Sequence, residues 1–120
     1  AILNFGHTIG HALELVSGFS LRHGEAIAIG MLAESKLAVE MGLAERLLPE
    51  QIAECLQFHS LPLTIPPQLE TDDILAAMTR DKKKKAGEVR FVLPRRSGEA
   101  SYGNVVEVDL IKQMIESMKV

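Results

Sequence analysis

The sequence has no tryptophan, one tyrosine and four phenylalanines in 120 residues, so Ala, Leu, Ile, Val and Met must fill its core. Such a core favours helices over a β-sandwich, whose strands draw on aromatic and β-branched residues. A single cysteine, Cys55, excludes a disulfide framework within the chain and suits a reducing compartment. No long hydrophobic run is present. The apolar stretch 26–33 is interrupted by Gly30 and ends at Glu34, far short of the roughly 20 residues a bilayer-spanning helix requires, and no signal peptide is recognisable. The expected location is therefore cytoplasmic. Positive charge is not in excess: 13 Lys and Arg against 16 Asp and Glu give a net charge of −3, which argues against a nucleic-acid partner. A glycine-rich dinucleotide fingerprint, a P-loop and a nucleophile elbow are all missing.

What is present is the mix of a globular domain, 47% hydrophobic and 24% charged. The length suits one domain and not two, and folding it buries about two-thirds of the unfolded chain's surface, so neither disulfide nor metal is required for stability. Ala1-Ile2-Leu3-Asn4 runs directly into Gly6-His7 with no initiator Met and no polar lead-in, as expected of a fragment of a larger protein. Hydrophobic spacing predicts a helix over about 4–16, with Asn4 as its cap and Gly18 as its end. A second helix over 24–41 is apolar on nearly every face until Glu34-Ser35-Lys36, so it should lie buried among others, with Gly42 as its left-handed stop. A third helix is expected over 48–59, with Pro49 in its first turn, Cys55 as a small core residue and His59 at its end. An extended connector over 62–67 leads to a fourth helix from Thr71 to about 80, with acids in its first turn. Strands over 89–93 and 102–108, separated by turn residues 94–98, predict a hairpin, and a last helix spans about 109–118. The fold class is mainly α, with a small β-hairpin near the C-terminus.

Chemistry concentrates early in the chain. His7 and His11 are four apart, so on a helix their imidazoles share one face, and Gly6 and Gly10 repeat that spacing. Each glycine costs about 1 kcal/mol relative to Ala unless close backbone approach or room for a ligand offsets it. His23 follows at the start of the buried helix and can join the pair if the segment 17–22 folds back. Three imidazoles suit zinc or cobalt at a site with an open position. The competing reading makes His7 a core histidine and His23 a helix cap. Glu14 and Glu25 are either carboxylates that orient the imidazoles or exposed helix residues, and the second is the expectation for Glu14. The run Lys82-Lys83-Lys84-Lys85 is mostly a solvated turn, from which one ammonium can reach a phosphate.

Four motifs in order, Leu3-Asn4-Phe5-Gly6-His7-Thr8-Ile9-Gly10-His11-Ala12-Leu13-Glu14, His23-Gly24-Glu25-Ala26 with Ala28-Ile29-Gly30-Met31, Asp81-Lys82-Lys83, and Gly87-Glu88-Val89-Arg90-Phe91-Val92-Leu93-Pro94, resemble the C-terminal domain of the 3-dehydroquinate synthases. These belong to the sugar-phosphate cyclases. The resemblance covers essentially the whole chain.

It implies a multi-helix domain from an enzyme that uses NAD and a divalent metal, zinc or cobalt. That lyase of the shikimate pathway, which leads to the aromatic amino acids, turns 3-deoxy-D-arabino-heptulosonate 7-phosphate into 3-dehydroquinate and phosphate. On the matching positions His7 and His23 would be metal ligands. His11 would contact the substrate phosphate and assist proton transfer, Asn4 would hydrogen-bond substrate, and Lys82, or Lys83 if the register slips, would bind phosphate. By the same resemblance the third metal ligand is an upstream glutamate, a substrate-binding arginine lies just before Leu3, and NAD binds mainly to an N-terminal domain. No cofactor-binding residue is therefore expected in this chain, which alone should be inactive, while the full-length enzyme should be a homodimer. The alternatives are a related cyclase of the aminocyclitol or valiolone type and a non-catalytic helical module that binds structural metal.

Overall fold

The computed structural model describes residues 5–78, 88–94 and 100–119, with the side chains of 88–90 and 100–103 excepted. The elements are α1 (His7–Val16), α2 (His23–Glu40), α3 (Leu48–Phe58), α4 (Thr71–Met78), β1 (Glu88–Pro94), β2 (Ala100–Glu107) and α5 (Val108–Ser117). The domain is thus mainly helical with a two-stranded antiparallel hairpin near its C-terminus, as the sequence predicts.

α2 is the axis of the fold. It packs against α1, α3, α5 and β1, while α4 lies against α1 and α5. Its all-round apolar character follows: Ala26, Ala28, Ile29, Leu32, Ala33, Leu37 and Ala38 are buried on several faces at once. The expectation that this helix turns polar from Glu34 is overturned, because Glu34 and Ser35 are fully buried. Ser35 satisfies its hydroxyl locally by donating to Leu32 O at 2.7 Å. The helix then stops at Gly42, whose φ of 74° no β-branched residue adopts readily.

α3 buries little of its surface, only Leu56 completely. Ile52 and Leu48, at the preceding turns, are partly buried beside it. Cys55 lies next to Leu56 in sequence but about 100° around the helix, and it is exposed, so its assignment to the core is corrected. His59 ends the helix as expected. The connector after it is tied to the C-terminus, since Ile65 is fully buried and its N–H donates to Met118 O at 2.8 Å.

The hairpin pairs Val89 with Val106 and Phe91 with Asn104, and its register slips between Phe91 and Leu93. Phe91, Leu93 and Val106 are buried, because α2 and α5 cover one face of a ribbon that alone would be marginal. Among the described residues no helix is long and apolar enough to cross a membrane.

Candidate active site

The segment 17–22 does fold back. Residues further along α1 meet residues progressively earlier on α2: Gly6 lies against Met31 and Gly30, Gly10 against Ala26 and Ile27, and Glu14 against His23. The two helices are therefore antiparallel neighbours. Their closeness requires glycine, because a Cβ on Gly30 would stand 2.1 Å from Gly6 O and 2.8 Å from Gly10 N. Close backbone approach thus accounts for the glycines on α1.

This crossing assembles the three imidazoles. The ring centroids of His7 and His11 are 5.0 Å apart, those of His7 and His23 6.0 Å, and those of His11 and His23 6.2 Å. His11 and His23 are exposed and His7 is half-buried. His7 Nδ1 is itself buried and has no hydrogen-bond partner among the described residues. A buried ring nitrogen costs about 1–3 kcal/mol when unpaired, so its lone pair or proton calls for an acceptor, a donor or an ion. His7 and His11 also line a shallow cleft of about 190 Å³, closed on its far side by Ala77 and Met78 of α4.

Glu14 departs from the expectation of an exposed helix residue. Its side chain is only 14% exposed, and Oε1 lies 2.5 Å from His23 Nδ1. That bond places the proton of a neutral His23 on Nδ1 and leaves Nε2 with its lone pair, the arrangement by which a carboxylate prepares an imidazole to ligate a metal. One ligand atom each from His11, Glu14 and His23 lie within 4.8 Å of one another. That set leaves out His7; with Glu14 engaged on His23 Nδ1 as the orienting group, the donors left for a divalent cation are the imidazoles of His7, His11 and His23. Glu25 has a different task, accepting the Arg22 N–H at 2.9 Å and so closing the start of α2.

The start of α1 differs from its predicted form. The helix begins at His7, so the residue before it is Gly6 with φ 85°, and Gly6 has no side chain with which to cap. Asn4, the expected cap, lies outside the described residues. The cap comes from α2 instead: Glu34 Oε1 accepts the Gly6 N–H at 2.8 Å and Oε2 accepts the Ile9 N–H at 3.2 Å. Burial pushes this carboxyl up to about 8, while the backbone N–H groups of Gly6, Ile9 and Thr8 pull in the opposite direction. Sequence reasoning missed Glu34. The available signal was a lone acid four residues after Gly30 in a helix apolar on every side. Lys82 and Lys83 lie outside the described residues.

Comparison with known proteins identifies the family. A family model described as 3-dehydroquinate synthase C-terminal matches residues 1–84. The 3-dehydroquinate synthase of Nostoc punctiforme is 44% identical over 119 residues, 98% of this chain and 33% of that protein. That of Synechocystis is 42% identical over 113 residues, 93% of this chain and 31% of that protein. The chain thus spans about a third of the length of the curated relatives it matches. Among solved structures, a 2-deoxy-scyllo-inosose synthase complexed with carbaglucose-6-phosphate, NAD+ and Co2+ superposes with TM-score 0.81 at 27% identity, covering 98% of this chain and 35% of that one. A 2-epi-5-epi-valiolone synthase from Streptomyces hygroscopicus, with NAD+ and Zn2+ bound, gives TM-score 0.80 at 28% identity, covering 97% and 32%. By its matching residues and its fold, the chain belongs to the 3-dehydroquinate synthase family, in whose members it corresponds to the C-terminal domain.

Proposed function

We propose that this chain supplies the metal- and phosphate-binding half of the active site of an enzyme that converts 3-deoxy-D-arabino-heptulosonate 7-phosphate into 3-dehydroquinate and phosphate. The observation that carries the reading is the histidine cluster at the α1–α2 crossing, with a buried nitrogen on His7 that has no partner among the described residues and His23 oriented by Glu14. His7 and His23 would hold the divalent metal, zinc or cobalt, together with a glutamate from outside the chain. When bound, the ion would polarise a substrate hydroxyl and the carbonyl it becomes.

The remaining work belongs to the chain's own side chains. Exposed His11, one turn along α1 from His7, lines the same cleft and would contact the substrate phosphate and assist proton transfer. Asn4 would donate to a substrate oxygen, and Lys82 or Lys83 would meet the phosphate as a point charge. NAD would bind mainly to a separate N-terminal domain, and the complete enzyme would act as a cytoplasmic homodimer on a small phosphorylated substrate. The solved relatives with NAD+ and Co2+ or Zn2+ bound support the cofactor choice.

The test joins this chain to the N-terminal two-thirds of the Nostoc punctiforme relative and measures phosphate release and dehydroquinate formation. Activity that disappears in His7→Ala and His23→Ala is the expected result. Turnover of a hexose phosphate in place of the heptulosonate would favour the aminocyclitol type of cyclase. Dehydroquinate formation by the unjoined 120-residue chain would refute the half-site reading.

A further inference from the structure

α1 is tied to α2 by two glutamate side chains, one at each end of the crossing. Near its C-terminal end α1 offers Glu14 to His23 of α2, and at the other end α2 offers Glu34 to the first turn of α1. His23 and Glu34 are eleven residues apart, which is three turns, so they lie on the same face of α2 with Gly30 between them. That face carries a metal-site histidine, the closest backbone approach and a buried carboxylate in a single line.

The first turn of an α-helix has N–H groups without intrahelical partners, and a capping side chain from the preceding residue usually meets one of them. Gly6 has no side chain, so without Glu34 the Gly6 and Ile9 N–H groups would be buried and unpaired. The two amides bracket His7: one belongs to the residue before it, the other to the second residue after it. Two bonds to the two oxygens of one carboxyl group fix both the height of α1 along α2 and its rotation about its own axis. Rotation matters most, because His7 and His11 point at His23 only at one rotational setting of α1.

We propose that Glu34 is a positioning residue of the candidate metal centre: its buried carboxyl group closes the first turn of α1 and thereby sets His7 and His11 against His23. The proposal rests on the reading of His7 and His23 as metal ligands, and it adds a residue that touches neither metal nor substrate. Burial of Glu34 is complete, at 0% exposure, so solvent cannot take its place.

The experiment uses this chain joined to the N-terminal two-thirds of the Nostoc punctiforme relative, which supplies the outside ligand of the proposed site, as wild type, Glu34→Gln, Glu34→Leu and His7→Ala. Amide hydrogen exchange is read at Gly6 and Ile9, and zinc is titrated while the histidine ring resonances are followed. In Glu34→Leu, which keeps the volume but removes both acceptors, the two amides are expected to exchange at least about 100-fold faster while amides in the middle of α2 stay protected. Zinc affinity is expected to fall about 10-fold, the lower end for loss of an orienting group around a metal. Glu34→Gln keeps one acceptor and turns an NH2 towards the other amide, so one of the two amides should stay protected and zinc affinity should lie between wild type and Leu.

Unchanged exchange at both amides in either variant overturns the proposal. So does faster exchange with zinc affinity unaltered, which would reduce Glu34 to a support of the fold. If the Leu variant does not fold, the Gln variant decides by the same two criteria. Wild-type rings that ignore zinc, or a His7→Ala chain that binds zinc as well as wild type, overturn the metal reading instead, and the amide arm then judges the Glu34 tie alone.

Discussion

Gly30→Ala places a single methyl group at the narrowest point of the α1–α2 crossing. The new Cβ would stand 2.1 Å from Gly6 O and 2.8 Å from Gly10 N, both main-chain atoms that no rotamer change can move aside. Real Cβ contacts do not fall below 3.0 Å, so α1 must retreat by about 0.9 Å to relieve the worst contact. Overpacking of this kind costs about 1–3 kcal/mol. The same retreat carries the 2.8 Å bond between the Gly6 N–H and Glu34 beyond the normal range for N–H···O, exposing a buried donor to a further penalty of about 1–3 kcal/mol. Alanine returns about 1 kcal/mol through its better helix propensity. The net expectation is a loss of about 3 kcal/mol, or roughly 12 °C in Tm for a chain of this size. Thermal unfolding of the 120-residue chain, followed by far-UV circular dichroism, measures it. Gly24→Ala is the control: that position is also on α2, but among the described residues nothing outside its own stretch of helix lies within 4 Å of its added Cβ, so it should be neutral or stabilising by up to about 1 kcal/mol. A Gly30→Ala chain as stable as Gly24→Ala would refute the reasoning.

Glu34 confers a pH dependence whose sign follows from its carboxyl being raised to about 8 from 4.5. The folded chain then holds a proton that the unfolded chain has released, so stability falls as pH rises from about 4.5 to about 8, with a slope approaching 1.4 kcal/mol per pH unit. Urea unfolding across that range should show the fall in wild type relative to Glu34→Gln, and parallel curves would exclude it. Glu14→Ala removes the acceptor from His23 Nδ1 and should weaken zinc binding about 10- to 100-fold in isothermal titration; equal affinity would show that Glu14 does not orient the imidazole. Exposed Cys55 should react stoichiometrically with a thiol reagent in native buffer, whereas a requirement for denaturant would return it to the core.

The helices were legible because their signals are local. Pro49, Gly42 and the spacing of apolar residues locate α2 and α3 to within one residue and α1 to within three, and the turn residues between two β-rich runs locate the hairpin. Cys55 was misplaced by adjacency, since on α3 the buried stripe runs Leu48, Ile52, Leu56 at steps of four and leaves position 55 to one side. The three histidines were also legible, two by helical spacing and the third by a loop long enough to return. Glu14 and Glu34 were not. Their roles depend on partners 9 and 25–28 residues away, and only the antiparallel packing of α1 on α2 brings those partners into reach. The same holds for the cap of α1, which the sequence suggested next to the helix and the fold supplies from across it.

The tie between Glu34 and the first turn of α1 has a mechanical consequence. α1 is held in place from the side, by the middle of α2, and at a glycine whose positive φ turns the chain sharply as it enters. Both halves of that tie belong to the packed pair α1 and α2, so the orientation of His7 and His11 is set within the helix pair that carries them.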